Sequence, residues 1–206
     1  MLFCAEARQR WRSWLLLGLL FALTTGLILA GVSAGRRTAA AFPQFVATHG
    51  YDAVTYSAKP LPKIAHLPEV RSVTALSAPA TGVPSCACSH TINQEDFNLY
   101  VAPTKSLSQF VNLVAGRMPD PTHPHQILAS FDLQQLGVRV GTVLRVPFYA
   151  SSQRAALQSG HMIPHGPMLA LRVVGIEASE GEFPGSNGEP EKDLYATSSL
   201  ARTISG

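Results

Sequence analysis

The sequence predicts a mixed α/β domain, of the α+β class, preceded by one N-terminal transmembrane helix. Two observations predict this arrangement. A long stretch without charged residues lies near the N-terminus, and the remaining chain alternates short β-rich runs with brief helical patterns. The composition agrees, because 46% of the residues are hydrophobic and only 14% are charged. That balance is typical of a chain with a membrane segment or a very apolar core.

The residues from Ser13 to Gly35, SWLLLGLLFALTTGLILAGVSAG, include no charged side chain. As a helix this span would be about 35 Å long, which is enough to cross a bilayer core of about 30 Å with some tilt. Trp11 and Trp14 are placed where interfacial anchors occur. The sequence therefore predicts a cytoplasmic N-terminus at 1–12, a transmembrane helix at 13–35, a stalk helix at 36–50 and an extracytoplasmic domain at 51–206.

The orientation of this span follows from the arginines on its two sides. Their distribution weakly favours an N-terminus inside the cell. A cleaved signal peptide is the rival interpretation, because Val32 to Ala34 form an acceptable small-residue cleavage site. The apolar run is longer than the usual signal-peptide core, which favours an anchor retained in the plasma membrane. Under either interpretation the rest of the chain lies outside the cytoplasm.

The chain has three cysteines, and Cys86 and Cys88 lie in the exported part. An oxidising compartment permits a disulfide between these two residues. A bridge across one intervening residue closes a small ring, so it gains little loop entropy. Free thiols remain an alternative. A metal site with His90 is less favoured, because zinc sites normally need four ligands at other spacings.

Short runs of β-forming residues predict the strands of the domain. We expect strands at 51–57, 70–76, 97–101, 110–116, 126–130, 141–148 and 169–176, with Pro147 indicating an edge strand. The segment 61–67 predicts a short helix. Residues 132–137 predict a helical turn with Asp132 as its N-cap. A helix is expected at 151–160, loops at 77–89 and 177–193, and a further strand or helix from Leu194.

Histidines are the first candidates for a metal or catalytic site. His123 and His125 flank a proline in a proline-rich loop that also holds Asp120, and His161 and His165 are at positions i and i+4. Neither pair has a complete ligand set, and the prolines and glycines around the second pair disfavour the helix that a zinc pair would need. Solvated turns are the favoured interpretation of both segments, so no metal is predicted.

Other motifs of catalysis or nucleic-acid binding are missing from the sequence. Neither G-x-S-x-G nor a P-loop motif occurs. Glu177, Glu180 and Glu182 follow a strand and are acids of the kind that enzymes use, but a loop of solvated acids is the more common arrangement. The net charge is only +3, and no Lys/Arg stripe is interleaved with aromatic residues. We therefore expect no enzymatic activity, no bound cofactor and no nucleic-acid partner.

An ordered series of short motifs runs through the middle of the chain. It comprises Gly116-Arg117 before a proline-rich loop, a strand at 127–130, Leu136-Gly137, Val140-Gly141, and VVGI ending at Ile176. This order resembles the extracytoplasmic core domain of FtsX-like and MacB-like ABC transporter permeases. The resemblance marks Gly116, Arg117, Gly137, Gly141 and Gly175 as structural turn residues. Of these, Gly116, Gly137 and Gly141 can supply turns with positive φ. Gln126 departs from the pattern, which more often has an acid there.

The resemblance covers nearly the whole chain, including the basic N-terminus, the apolar span and the segment 61–76. It implies a permease subunit, in which a separate cytoplasmic ABC ATPase binds ATP and the membrane helix transmits movement for export or envelope signalling. The implied partners are that ATPase, the lipid bilayer and a second permease, identical or paired. Such permeases carry further spans after this domain, so the resemblance implies the N-terminal part of a longer protein.

Two other functions stay open from the sequence. The chain can be a membrane-anchored or secreted extracytoplasmic binding domain that has no transporter attached. A third class is an exported hydrolase that uses the histidines, and it predicts a bound zinc ion that is lost when His123 or His161 is replaced.

Overall fold

The structure is a computed structural model that describes residues 2–57, 61–86, 88, 98–153, 163–183 and 192–205. The chain divides into two compact units, residues 1–47 and 48–206. The first unit is helical, and the second unit contains a mixed sheet.

Helix α1, Leu2–His49, is 48 residues long and contains Pro43. It runs through the predicted membrane span and the predicted stalk without a break. Its large apolar side chains from Trp14 to Val32 are 50% to 77% exposed, as expected of a surface that faces lipid. The hydroxyls of Thr24 and Ser33 donate to carbonyls one turn earlier, which satisfies them without water. The segment Ser13–His49 is long and apolar enough to cross a membrane, although an N-terminal signal sequence has the same properties.

The second unit is built on six described strands. They are β1 Asn98–Ala102, β2 Asn112–Gly116, β3 Gln126–Ser130, β4 Val143–Pro147, β5 Met168–Ala178 and β6 Asp193–Thr197. Their order is β1-β6-β3-β5-β2, with β4 also beside β5. The pairs β1–β6 and β3–β5 are parallel, whereas β3–β6, β2–β5 and β4–β5 are antiparallel. The mixed sheet after a long apolar helix confirms the predicted fold class.

Strand β5 joins three of the described strands. On one edge it pairs with β3, and on the other edge it pairs first with β4 and then with β2. Arg172 marks the division, because it lies opposite Gln126 of β3 on one side and Val143 of β4 on the other. Strand β5 has 11 residues, so one of its edges is long enough to pair with β4 and β2 end to end.

The two faces of the sheet bury two separate apolar clusters. Side chains alternate along a strand, so Ile127 and Ala129 of β3 enter the first cluster and Leu128 enters the second. Two helices cover these faces: Leu107 of α2, Thr104–Phe110, packs in the second cluster, and Leu200 of α3, Ser198–Ser205, packs in the first. Burial on both faces explains why the central strands are almost continuously apolar.

The expected strands at 51–57 and 70–76 are wrong. Their residues form no strand, and Ser77 makes only an isolated bridge to Val101. The helix expected at 61–67 is reduced to a 3₁₀ turn, Ile64–His66. The physical reason is exposure: Tyr56 is 83% and Val73 is 51% accessible, so these β-forming side chains have no packed surface to occupy.

The remaining expectations have mixed outcomes. The strands expected at 97–101, 110–116, 126–130, 141–148 and 169–176 are confirmed as β1 to β5, with Phe97 outside the described residues. Helix α2 was not anticipated. The turn at Phe131–Leu136 is a 3₁₀ helix whose N-cap is Ser130 rather than Asp132, because the Ser130 hydroxyl accepts from the Asp132 N–H. Most of the helix expected at 151–160 lies outside the described residues.

The C-terminal expectations need a correction as well. The prediction of a loop at 177–193 is wrong for its first residues. Glu177 and Ala178 complete β5, and a 3₁₀ turn, Glu180–Glu182, follows. Residues 184–191 lie outside the described residues. The strand or helix expected from Leu194 proves to be both, as β6 leads directly into α3.

The core of the sheet gives a stability prediction. Ile127 is fully buried, whereas Ile163 is 78% exposed. We expect Ile127→Ala to lower the free energy of unfolding by about 2–5 kcal/mol, because it leaves a cavity in the first apolar cluster. The matched change Ile163→Ala should alter it by less than about 0.5 kcal/mol. Denaturant unfolding of the full chain in detergent, followed by the near-ultraviolet circular dichroism of its tyrosines, measures both. Equal effects of the two changes would contradict the assigned core.

Candidate functional site

Four motifs of the ordered series, all except Leu136-Gly137, meet at the middle of β5. The Arg117 N–H donates to the Val174 carbonyl over 3.0 Å, and the Gly141 N–H donates to the Val173 carbonyl over 2.8 Å. The Val173 N–H in turn donates to the Thr142 carbonyl over 2.9 Å. We name this set the β5 junction and define it as Gly116, Arg117, Gln126, Gly141 and Val173 to Gly175.

Three glycines of the series have the backbone conformation expected of turn residues. The φ angles of Gly116, Gly137 and Gly141 are 80°, 92° and 96°, which lie in the region that L side chains rarely adopt. Gly137 ends the 3₁₀ turn after β3, and its N–H donates to the Gln134 carbonyl over 3.0 Å. A Cβ on Gly141 would meet open space, so only its backbone conformation requires glycine.

Gly116 and Gly175 lie against each other. A Cβ on Gly116 would lie 2.4 Å from the Val174 carbonyl oxygen, and a Cβ on Gly175 would lie 2.6 Å from the Arg117 carbonyl oxygen. Gly175 is inside β5 rather than in a turn, so its predicted role as a turn residue is corrected to close packing between two backbones. The register between β3 and β5 also shifts here, where Val174 has no partner in β3.

Arg117 and Gln126 close the base of the proline-rich loop. The Arg117 Nη1 donates to the Gln126 Oε1 over 3.0 Å and to the Met118 carbonyl over 3.1 Å. The Asp120 N–H donates to the same Gln126 oxygen over 3.0 Å. The neutral amide oxygen therefore provides the acceptor that an acid would otherwise supply, and it does so without an ion pair.

The loop itself is organised by Asp120. Its Oδ1 accepts from the Thr122 N–H over 2.8 Å and from the Thr122 hydroxyl over 2.7 Å, while its Oδ2 lies 3.1 Å from the His123 Nδ1. The Thr122 hydrogen bonds hold the pKa of Asp120 below its usual value, and His123 adds a smaller effect. These bonds shape an exposed turn.

The histidines do not come together around a metal. The side chains of His123 and His125 are exposed, and His125 contributes its carbonyl to the Arg172 N–H over 2.7 Å. His161 lies outside the described residues, and the His165 N–H donates to the Gln153 Oε1 over 2.9 Å. Within the part of the chain that the structure describes, no three His, Cys, Asp or Glu residues are grouped so as to hold a metal ion.

A disulfide joins Cys86 and Cys88. Both residues are half-buried and pack on the first apolar cluster. The adjacent Ser85 forms two backbone hydrogen bonds with Arg145 of β4, of 2.9 Å and 2.8 Å. The bridge therefore lies where the preceding loop runs along the outer edge of β4, the strand in which Pro147 indicated an edge. His90, the other candidate ligand, lies outside the described residues.

The acids at the end of β5 and in the turn that follows differ most from the predicted loop of solvated acids. Glu177 is 0% exposed and Glu182 is 2% exposed, whereas Glu180 is half-exposed. The expected loop of solvated acids is therefore wrong for the first two. Ser179 and Glu182 form a capping box, in which the Glu182 carboxylate accepts from the Ser179 N–H over 3.2 Å. The Ser-x-x-Glu spacing is the sequence signal from which this turn was predictable.

A cavity of about 330 Å³ opens beside the β5 junction. Its lining comprises Ala115 of β2, Ile176 of β5, and Gln134, Arg139 and Val140 from the segment between β3 and β4.

Comparison with known proteins gives similarity to solved structures but not to family models or curated proteins. No family model and no curated protein matches the chain. Among solved structures, a domain of a protein assigned as a permease, from Porphyromonas gingivalis, is similar with a TM-score of 0.39 and 17% identity. The match covers 68% of this chain and 58% of the Porphyromonas gingivalis chain, so this chain spans less than two thirds of the length of that protein domain.

The junction glycines can be distinguished by substitution with alanine. Gly141→Ala should cost about 1–2 kcal/mol, because only the positive φ opposes it. Gly116→Ala should cost at least twice as much, since its Cβ would also collide with the backbone of β5. Denaturant unfolding of both variants of the full chain measures the difference. Equal losses would show that the two backbones do not approach as closely as the structure describes.

The Gln126 acceptor gives a second prediction for the site. Gln126→Leu should cost about 1–2 kcal/mol, because the Asp120 N–H loses its acceptor. Gln126→Glu keeps an oxygen at that place and should stay within about 1 kcal/mol of the natural protein. Hydrogen exchange at the Asp120 amide reports this bond directly: it should accelerate in the leucine variant alone. Equal protection in both variants would exclude the bond.

Proposed function

We propose that the chain is the N-terminal part of a permease subunit of the FtsX-like and MacB-like kind. In this proposal a separate cytoplasmic ABC ATPase supplies the energy, α1 is the membrane helix, and the exported domain engages a substrate or an envelope partner. The observation that carries the proposal is the β5 junction, where motifs recognised only by their order in the sequence meet in space.

The junction supports the proposal because its parts depend on one another. Gly116 needs its positive φ to turn the chain after β2, and it can pass β5 closely because Gly175 also lacks a side chain. Gly141 brings the following segment to the neighbouring carbonyl of Val173. A chance series of Gly-Arg, Val-Gly and Val-Val-Gly-Ile segments would have no reason to form one backbone network.

The form of α1 also agrees with the proposal. A 48-residue helix is about 72 Å long, more than twice the thickness of a bilayer core. Its apolar part and the part beyond it belong to one helix, in which Pro43 removes one backbone hydrogen bond but no non-helical residue intervenes. A displacement at one end can therefore reach the other through a single helix. A permease driven by a cytoplasmic ATPase requires such an element.

In this proposal the chain carries out no chemistry of its own. ATP is bound and hydrolysed by the ATPase subunit, and a second permease, identical or paired, completes the membrane pathway. The half-buried disulfide agrees with a domain that lies on the oxidising side of the membrane.

The proposal predicts that the chain binds an ATPase only when α1 is inserted in the membrane. The tagged chain is expressed in its native host, solubilised in mild detergent and purified, and its partners are identified by mass spectrometry. We expect a subunit with a P-loop sequence. Replacing Leu20 and Leu27 by lysine should abolish its recovery, because two buried charges oppose insertion by several kcal/mol. Replacing the same residues by alanine is the matched control and should preserve recovery.

Two other outcomes would replace the permease by a binding domain. A chain that stays in the membrane without any ATPase would be an anchored binding domain. A mature protein whose N-terminus lies after Ala34 would be a secreted one, since α1 would then have been a signal sequence. N-terminal sequencing of the purified protein distinguishes these two cases.

A further inference from the structure

Two acidic side chains are buried together at the end of β5. Glu177 lies opposite Leu113 of β2 and Ser130 of β3, and Glu182 follows in the 3₁₀ turn. Within the described part of the chain, no donor reaches either carboxyl oxygen of Glu177 or the Oε1 of Glu182. Three buried carboxyl oxygens without a donor are costly, because each has lost its water.

A proton placed between the two side chains removes much of this cost. The carboxyl groups lie within hydrogen-bonding reach of each other, but two carboxylates have no hydrogen to share. If Glu177 is protonated, its hydroxyl donates to Glu182, and one of the two buried charges disappears.

The surroundings of the pair are themselves acidic. From β6, Asp193 is buried beside Glu177, and the Tyr195 hydroxyl donates to Asp193 over 3.1 Å and to the Ser179 hydroxyl over 3.3 Å. From the turn after β3, Asp132 faces Glu182, and Lys192 offsets the charge of Asp132. Among the described residues, the charged groups that shift the pKa of Glu177 are the acids Glu182 and Asp193.

The hydrogen bond that Glu182 accepts from the Ser179 N–H favours its ionised form, whereas neither oxygen of Glu177 has such a donor among the described residues, so we assign the proton to Glu177. Burial raises the pKa of Glu177 well above its usual value, and the hydrogen bond to Glu182 and the charges of Glu182 and Asp193 raise it further. Burial also raises the pKa of Glu182, but hydrogen bonds from Glu177, Ser130 and Ser179 oppose that shift.

The turn that carries Glu182 also holds another part of the chain. The Glu180 Oε2 accepts from the Tyr51 N–H over 2.9 Å. Tyr51 comes two residues after His49, where α1 ends. One turn, Glu180–Glu182, therefore connects the end of β5 with the segment that follows α1 in sequence.

We propose that Glu177 and Glu182 form a proton-dependent latch. With one proton between them, the Glu180–Glu182 turn stays on the end of β5 and holds the segment at Tyr51. When a base in the solvent removes that proton, the two buried carboxylates repel each other and are more stable when hydrated. The turn then opens, and the hydrogen bond to Tyr51 is broken. This latch does not depend on the permease proposal.

The direction of the pH effect follows from linkage. The closed state binds a proton at a pH where an exposed glutamate has already lost it, so raising the pH favours the open state. The stabilisation from the pair is complete below the usual glutamate pKa of 4.5 and is lost as the pH rises through the raised pKa of Glu177.

Hydrogen exchange of the full chain in nanodiscs tests the latch. Exchange is measured from about pH 5 to about pH 9 and corrected for the intrinsic effect of base. We expect the amides of Tyr51 and Glu182 to lose at least about tenfold protection as the pH rises, while amides of β3 stay protected. Glu177→Gln is neutral and keeps a donor, so both amides should stay protected throughout. Glu69→Gln, which alters an exposed acid elsewhere, should behave as the natural protein.

The proposal is overturned if the corrected exchange of the natural protein is independent of pH, or if Glu177→Gln loses protection with pH as the natural protein does. Infrared spectroscopy of the unmodified chain covers the case in which the variant does not fold. A protonated carboxyl band should persist above the pH at which exposed glutamates ionise, and it should disappear together with the protection of Tyr51. Loss of this band at the same pH as exposed glutamates would also overturn the latch.

Discussion

The contact on which the sheet depends is the crossing of two backbones at Gly116 and Gly175. Three strands are fixed to β5, and two of them, β2 and β4, share one of its edges end to end. The space between them is occupied by the turn at Arg117 and the turn at Gly141, each of which donates to a carbonyl of Val173 or Val174. A side chain at the crossing would separate β2 from β5, and the second edge of β5 would lose half of its partners.

Features fixed by local backbone chemistry could be predicted from the sequence. The strands β3 and β5 follow from apolar runs that need burial on both faces, and the turns at Gly116 and Gly141 follow from glycine placed between strands. Features decided by distant contacts could not. The β-forming residues at 51–57 found no neighbouring strand and remained exposed. The acids after β5 were assigned to solvent because their polarity favours water, yet the surrounding elements enclose Glu177.

The proline-rich loop shows how a segment with apparent chemical potential can be structural. Its histidines are exposed and point to no common ligand, while its backbone and Asp120 are used in tight local hydrogen bonds. Gln126 closes the loop with the same geometry that an acid would give, but without a charge. Because a neutral acceptor is enough, the requirement at this place is an oxygen at the correct distance, and an ion pair is dispensable.

The domain thus combines a core of apolar side chains with a group of buried acidic side chains near the end of β5. The two apolar clusters have no ionisable group among their buried hydrophobic residues, apart from the Tyr195 hydroxyl, which points to Ser179 and Asp193. Among the described residues, the buried acids are Asp132 in the turn after β3, Glu177 at the end of β5, Glu182 in the turn that follows, and Asp193 at the start of β6. In the proposed latch, a change of pH would therefore act on the hydrogen bond between Tyr51 and the Glu180–Glu182 turn, while the apolar clusters of the sheet would not respond to it.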